Sequence, residues 1–249
     1  MSINNQTPPA RRLFLRRIGE VSSVTLALPG LIGSAAAVSS SAGTTDAPEV
    51  GSTAHSAYLS LSPLEGASVE ALVNVMCPAD ALTPNGTSCG LHLYIDRQMA
   101  GAWGRGDQLY RHGPWRPGKP QHGYQSPLTP EQYVKAGLAA FAHVVQVRTG
   151  QALEQLGPLR LDSLLQELAD GRLDGAAEYA LAAWFNDAFY PLFVQACFAD
   201  PMYGGNRDKV HWRAIGYPGL PAFHGRDVVQ FRGRPYPGAA APKSIEDFS

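Results

Sequence analysis

Residues 181–198 have the sequence LAAWFNDAFYPLFVQACF, and this stretch decides the fold class. Its apolar residues recur at intervals of three and four, which is the spacing of one face of an α-helix. Pro191 should kink this helix rather than end it, because the apolar face continues beyond the proline. We therefore expect a helical protein built around a buried face. That face consists of Leu181, Trp184, Phe185, Ala188 and Phe189 before the proline, and Leu192, Phe193 and Ala196 after it.

Two capping boxes predict the starts of further helices. In Ser62–Glu65 and in Thr129–Gln132, proline follows the capping residue and Glu or Gln stands at the third helical position. A second helix is expected from about Gly90 to Ala100. A short helix should begin with Asp162 as its cap and end at Gly171, which suits the left-handed position after a helix. The sequence predicts a mainly α fold of four to six helices, with two long ordered loops rich in glycine and proline.

The N-terminus carries an export motif. The stretch Ala10–Arg16 (ARRLFLR) resembles the twin-arginine signal, with Arg11 and Arg12 as the pair and Phe14 and Leu15 at the expected places. An interrupted apolar run and a group of small residues follow in the order typical of a cleaved signal. The alternative is a basic tail with no targeting role.

The signal sets the expected domain organisation. Small residues around Ala37 fit cleavage there, so residues 1–37 are predicted to be the twin-arginine signal peptide. Residues 38–57 are rich in Ser, Ala and Thr and predict a flexible linker. Residues 58–249 should form a single α-rich domain with an irregular C-terminal tail. The twin-arginine (Tat) translocase exports folded proteins, which predicts a periplasmic location.

Charge and motif content exclude several classes of function. Residues 1–37 hold four arginines and one glutamate, so the remaining chain has 16 Lys and Arg against 20 Asp and Glu. A mildly acidic chain lacks the basic surface that nucleic-acid binding requires. The chain contains no C-x-x-C pair, no C-x-x-C-H and no G-x-G-x-x-G in a strand–turn–helix context. We therefore expect no flavin, nicotinamide or c-type haem in this chain.

The chain has three cysteines. Cys77 and Cys89 lie twelve residues apart, and in an exported protein such a pair favours a disulfide. Cys197 lies on the apolar helix and is expected to be buried outside that pair. The alternative is that all three are small buried hydrophobic residues.

Two further functions stay open from the loop 101–126. His112 and His122 share this loop with Asp107, so a metal site there would suit an independent periplasmic metal-dependent enzyme. Surface histidines are far commoner than ligands. The aromatic residues of the loop would suit a sugar-binding module, and a surface that faces a protein partner has the same composition.

Several segments between residues 58 and 220 together resemble the small subunit of gluconate 2-dehydrogenase (subunit 3, or gamma). The most specific is Phe198–Asp208 (FADPMYGGNRD), which Trp212 and Ile215–Gly219 continue. The weaker segments are Cys77–Asp80 (CPAD), Tyr94–Arg97 (YIDR) and Leu128–Gln132 (LTPEQ).

The resemblance implies a complex. In that family a large FAD-containing subunit oxidises the sugar acid, and a cytochrome c subunit with several haems passes the electrons to ubiquinone. The small subunit carries the twin-arginine signal. We therefore expect FAD and c-type haem in partner subunits, and a chain that is not catalytic alone. Its association with the inner membrane would come through the complex.

The residue types in the loop 101–126 and in the segment 198–219 suit an interface with the flavoprotein. Aromatic residues and arginine dominate binding energies at such surfaces. Tyr203 and Trp212 flank Arg207 in the sequence. Asp200 and Asp208 would equally pair with Arg207 internally and leave the loop self-satisfied. The predicted interface consists of Trp103, Tyr110, Trp115, Tyr203, Gly204, Gly205, Asn206, Arg207 and Trp212.

Overall fold

The computed structural model describes residues 58–116, 119, 126–173, 180–221 and 223–249. The predicted signal peptide and linker, residues 1–57, lie outside the described residues. No helix in the described part of the chain is both long enough and apolar enough to span a membrane. The helices are α1 (Pro63–Met76), α2 (Leu91–Ala100), α3 (Ala102–Arg105), α4 (Pro130–Thr149), α5 (Pro158–Ala169), α6 (Leu181–Trp184), α7 (Tyr190–Phe198), α8 (Val210–Ile215) and α9 (Gly225–Gln230).

The mainly helical fold is confirmed, with more helices than expected. A π-helical turn, Phe185–Phe189, joins α6 to α7, so the described residues form eight helices instead of four to six. The additional helices α3, α8 and α9 have four to six residues each and lie where irregular loops were expected. Helices this short carry no repeating apolar stripe, which is the signal that sequence periodicity detects.

Both predicted capping boxes form. Ser62 Oγ accepts a bond of 3.3 Å from the Glu65 N–H, and the Glu65 carboxylate accepts one of 2.8 Å from the Ser62 N–H. Thr129 and Gln132 make the same reciprocal pair at 3.1 and 2.9 Å. These bonds satisfy N–H groups that a helix start would otherwise leave without partners.

The start of α5 differs from the expectation. The helix begins at Pro158, after Gly157, and Asp162 lies within it and accepts a bond of 2.8 Å from Gln166. The fixed φ of proline suits the first position of a helix. This preference favours a start at Pro158 over a later start capped by the Asp162 carboxylate. The predicted left-handed residue after this helix, Gly171, is confirmed with φ of 68°.

Trp184, the last residue of α6, is fully buried in the core, where α6 packs on α4. Its indole N–H donates to the Val134 carbonyl at 3.1 Å. A Cβ on Gly137 would lie 2.2 Å from the indole, so only glycine allows α4 to approach this closely. The aromatic cluster around it is formed by Phe141, Phe185 and Phe189.

The helix around Pro191 changes its winding before the proline. The Tyr190 N–H bonds to the Phe185 carbonyl, five residues back, which is the π-helical pattern. Pro191 has no N–H to donate and its ring crowds the preceding turn. The wider turn lets the helix continue through the proline, as the continuous apolar face predicted.

Asp96 connects the first described residues to α2. Its carboxylate is 2% exposed and accepts N–H bonds from Leu59, Ser60 and Leu61 at 2.7, 2.9 and 2.9 Å. Three donors around one buried carboxylate replace the water that it has lost. The entry to α1 is thereby held against the middle of α2.

Candidate functional site

Residues 198–219, which we name the motif segment, include the most specific sequence motif and the first turns after α7. Asn206, within this segment, is fully buried and has the left-handed backbone conformation, with φ of 46°. Its side-chain amide donates to the Ala199 carbonyl at 3.1 Å and accepts from the His211 N–H at 3.0 Å. One side chain therefore closes the loop between the end of α7 and the start of α8.

Two glycines let the motif segment approach its neighbours. A Cβ on Gly205 would lie 2.3 Å from the Ala196 carbonyl oxygen. Gly204 has φ of 104°, and a Cβ there would lie 2.7 Å from the Arg97 guanidinium. Both places require glycine, so these predicted interface residues serve to seat the segment against α2 and α7.

Arg207 attaches the segment to the loop before α2. Its backbone N–H donates to the Cys89 carbonyl at 3.0 Å, and its guanidinium to the Ser88 carbonyl at 3.4 Å. Asp200, one of the suggested internal partners, accepts instead from the backbone N–H groups of Met202 and Ile245. The Arg207 side chain remains exposed at the surface.

Trp212 faces inward. It is 5% exposed, its indole N–H donates to the Phe198 carbonyl at 2.7 Å, and its ring meets the edge of Tyr217. The backbone of the segment is thus fastened from inside, while apolar side chains along it stay at the surface. These side chains, which we call the exposed apolar set, are Phe198, Met202, Tyr203, Ile215 and Tyr217.

The C-terminal tail packs on the motif segment. Lys209 forms an ion pair with Asp247, and Ser244 donates its backbone N–H to the same carboxylate at 2.7 Å. The bond from Lys209, followed by that from Ser244, lowers the pKa of Asp247 to about 2. The carboxylate therefore stays ionised, and able to pair with Lys209, at any ordinary pH.

The other predicted interface residues lie on α3 and in the loop that follows. Trp103 is 42% and Tyr110 81% exposed, and Trp115 is half-buried. Asp107, suggested as a metal ligand, pairs with Arg105 at 2.9 Å, and the His112 ring lies tilted against the Tyr110 ring. His122 lies outside the described residues, so the proposed metal loop stays a prediction.

Cys77 and Cys89 lie side by side, yet the structure has both as thiols and not as the predicted disulfide. His211 enters the same position, with its Nε2 3.7 Å from Cys77 Sγ. We call Cys77, Cys89 and His211 the thiol–histidine cluster. Cys197 is buried elsewhere, as expected. His211 was missed by sequence reasoning because it lies 134 residues from Cys77 and belongs to no local motif.

Comparison with known proteins identifies the family. The family model for gluconate 2-dehydrogenase subunit 3 matches residues 63–219, which is more than half of the chain and includes α1 to α8 and the motif segment. No curated protein and no solved structure matches the chain. The chain therefore belongs to the gluconate 2-dehydrogenase subunit 3 family.

Proposed function

We propose that this chain is the non-catalytic small subunit of a periplasmic, membrane-associated, FAD-dependent dehydrogenase of gluconate or a related sugar acid or polyol. In this proposal a large flavoprotein subunit oxidises the substrate, and a cytochrome c subunit receives the electrons. The small subunit contributes the twin-arginine signal of residues 1–37 and stabilises the flavoprotein. Family membership supports the assignment to a gluconate 2-dehydrogenase complex.

The exposed apolar set is the observation that carries the binding role. Tyr203 and Met202 are 47% and 42% exposed, although bonds through Asn206 and Trp212 fix the backbone that presents them. Aromatic residues and Met are enriched at interface centres, and a surface that is already ordered loses little entropy on binding. Such a surface suits a permanent partner.

Substitution of Tyr203, in the exposed apolar set, or of the exposed Arg207 tests the binding role. We expect Tyr203→Ala or Arg207→Ala to weaken the flavoprotein complex about 30-fold, since truncating an interface anchor costs about 2 kcal/mol. Leu159→Ala is the matched control, because Leu159 is 87% exposed on α5 and lies outside the segment. Copurified flavin per chain and the melting temperature of the isolated chain are the two measurements. Unchanged flavin content in both variants would contradict the assigned surface.

The export role has a separate test. Arg11→Lys combined with Arg12→Lys should retain the chain in the cytoplasm, together with a flavoprotein that has no signal of its own. Fractionation followed by dye-linked dehydrogenase assays measures both proteins. Normal flavoprotein activity in the periplasm of the double variant would remove the escort role and leave the binding role intact.

A further inference from the structure

The thiol–histidine cluster is built from three separate parts of the chain. Cys77 directly follows α1 as its C-cap, Cys89 precedes the glycine that caps α2, and His211 lies in the first turn of α8. All three are almost completely buried, with exposures of 0, 1 and 2%. One potential ligand atom from each residue lies within 4.8 Å of the other two. Two sulfurs and an imidazole nitrogen thus converge at one interior point.

Three of the distances between possible ligand atoms lie in the range of a tetrahedral metal centre. Around zinc, with bonds of about 2.3 Å to sulfur and about 2.0–2.2 Å to nitrogen or oxygen, neighbouring donor atoms lie roughly 3.4–3.8 Å apart. Cys77 Sγ lies 3.7 Å from His211 Nε2. The Pro84 carbonyl oxygen lies 3.7 Å from Cys77 Sγ and 3.5 Å from Cys89 Sγ. In the thiol form this oxygen accepts the S–H groups of both cysteines, and once they are deprotonated it would be available as a fourth ligand atom.

The surrounding bonds hold the three side chains in place. The Gly86 N–H bonds to the Cys77 carbonyl and the Cys89 N–H to the Asn85 carbonyl, at 2.9 and 3.0 Å, which closes the loop between α1 and α2. The His211 N–H bonds to Asn206, and its ring lies edge-on to Phe198. The geometry therefore follows from the fold of two regions that are distant in sequence.

We propose that Cys77, Cys89 and His211 bind one zinc ion. Thiolate and imidazole are the ligands that zinc prefers in proteins, and the two cysteine thiols would each release a proton to solvent on binding it. The site would join the loop before α2 to the start of α8. It would therefore add a further attachment of the motif segment to the rest of the fold. This inference goes beyond the proposed function and does not depend on it.

A disulfide makes the opposite demand on the same two sulfurs. It needs them about 2.05 Å apart, whereas two thiolates on one zinc ion lie roughly 3.8 Å apart. A disulfide would also leave the His211 ring nitrogen with no metal ion to bind. The two states are therefore mutually exclusive, and one experiment separates them.

The test uses the full chain, purified under reducing conditions and titrated with Co²⁺ and then Zn²⁺. We expect one equivalent of Co²⁺ to produce thiolate-to-metal charge-transfer absorption and the visible bands of tetrahedral cobalt, both removed by Zn²⁺. His211→Asn should weaken binding at least about 100-fold, because changes in the outer shell alone cost 10–100-fold. Cys89→Ser should abolish the charge-transfer band. Cys197→Ser, which removes a buried thiol outside the cluster, should leave it unchanged.

If the variants misfold, the unsubstituted chain still tests the proposal by itself. Absence of the charge-transfer band in the reduced chain overturns it. So does a band that persists in both Cys89→Ser and His211→Asn. Circular dichroism of each variant shows whether its helices remain. Alkylation with mass spectrometry of the chain purified without reductant, in air, shows whether oxygen has oxidised Cys77 and Cys89 to a disulfide, and a disulfide in that chain also overturns the proposal.

Discussion

Gly137 and Gly205 each allow a close contact with a neighbour, and the regions around them use opposite chemistry. At Gly137 the neighbour is the Trp184 indole, within an apolar aromatic cluster. At Gly205 it is the Ala196 carbonyl, within a set of polar bonds that includes those of Asn206. The first region places its large apolar side chains inside. The second holds its backbone by hydrogen bonds and leaves apolar side chains at the surface, where a partner would meet them.

The largest effect is expected at the aromatic cluster. Trp184→Ala should lower the free energy of unfolding by about 3–5 kcal/mol, because it removes a fully buried ring and leaves a cavity. Trp103→Ala, at a tryptophan that is 42% exposed, should change it by less than about 1 kcal/mol. Urea unfolding followed by circular dichroism measures both. Equal losses at the two positions would show that burial does not distinguish these regions.

Substitution of Asp96 tests how much buried hydrogen bonds to a carboxylate contribute to the free energy of unfolding. Asp96→Ala should cost about 2–3 kcal/mol, because it deprives three backbone N–H groups of a charged acceptor. Asp107→Ala is the control, since Asp107 makes an exposed ion pair of little value. Urea unfolding and limited proteolysis before α1 are the measurements. Resistance to protease equal to that of the control variant would contradict the role of Asp96.

A smaller and more local effect is expected at Asn206. Asn206→Gly keeps the left-handed backbone accessible but removes two hydrogen bonds, so a loss of about 1–2 kcal/mol is expected. Amide exchange should accelerate in the motif segment while α4 stays protected. Uniform acceleration across both would mean that the segment and the core unfold together, and the contrast between the regions would not hold.

The smallest effect concerns His224 in the tail. Its bond to the Gly219 carbonyl, followed by that to Asp227, raises its pKa. A raised pKa in the folded chain stabilises fully below the ordinary value of about 6.5, and this contribution disappears as pH rises through the raised value. Amide exchange around residues 219–236, corrected for its intrinsic pH dependence, should therefore be slower at acidic than at alkaline pH. His224→Gln should remove the difference; a dependence that survives has another source.

Local sequence patterns predicted the longer helices. Contacts between residues far apart in the sequence could not be predicted. The capping boxes at Ser62 and Thr129 could be predicted because their partners lie three residues away. The inward position of Trp212 could not, since it depends on the Phe198 carbonyl, fourteen residues earlier. The same limit hid His211, whose neighbour Cys77 is separated from it by most of the folded chain.

The interface prediction mixed two kinds of residue that look alike in a motif. Gly205, Asn206 and Trp212 are packed inside, whereas Tyr203 and Arg207 are exposed. Composition alone cannot separate them, because an aromatic residue or asparagine serves equally in a turn or at a surface. The separation required the backbone geometry around Asn206.

The π-helical turn before Pro191 lets this helix hold one extra residue without changing its direction. Each residue advances an α-helix by about 100° around its axis. Because the bonds in Phe185–Phe189 join residues five apart instead of four, the extra residue is taken up within the turn. Deleting a single residue there would let the chain wind as an ordinary α-helix, and the face of α7 that contacts the core would stay inward. Family members that lack one of these five residues should therefore still place the motif segment in the same direction, whereas a deletion within α7 would rotate everything that follows by about 100°.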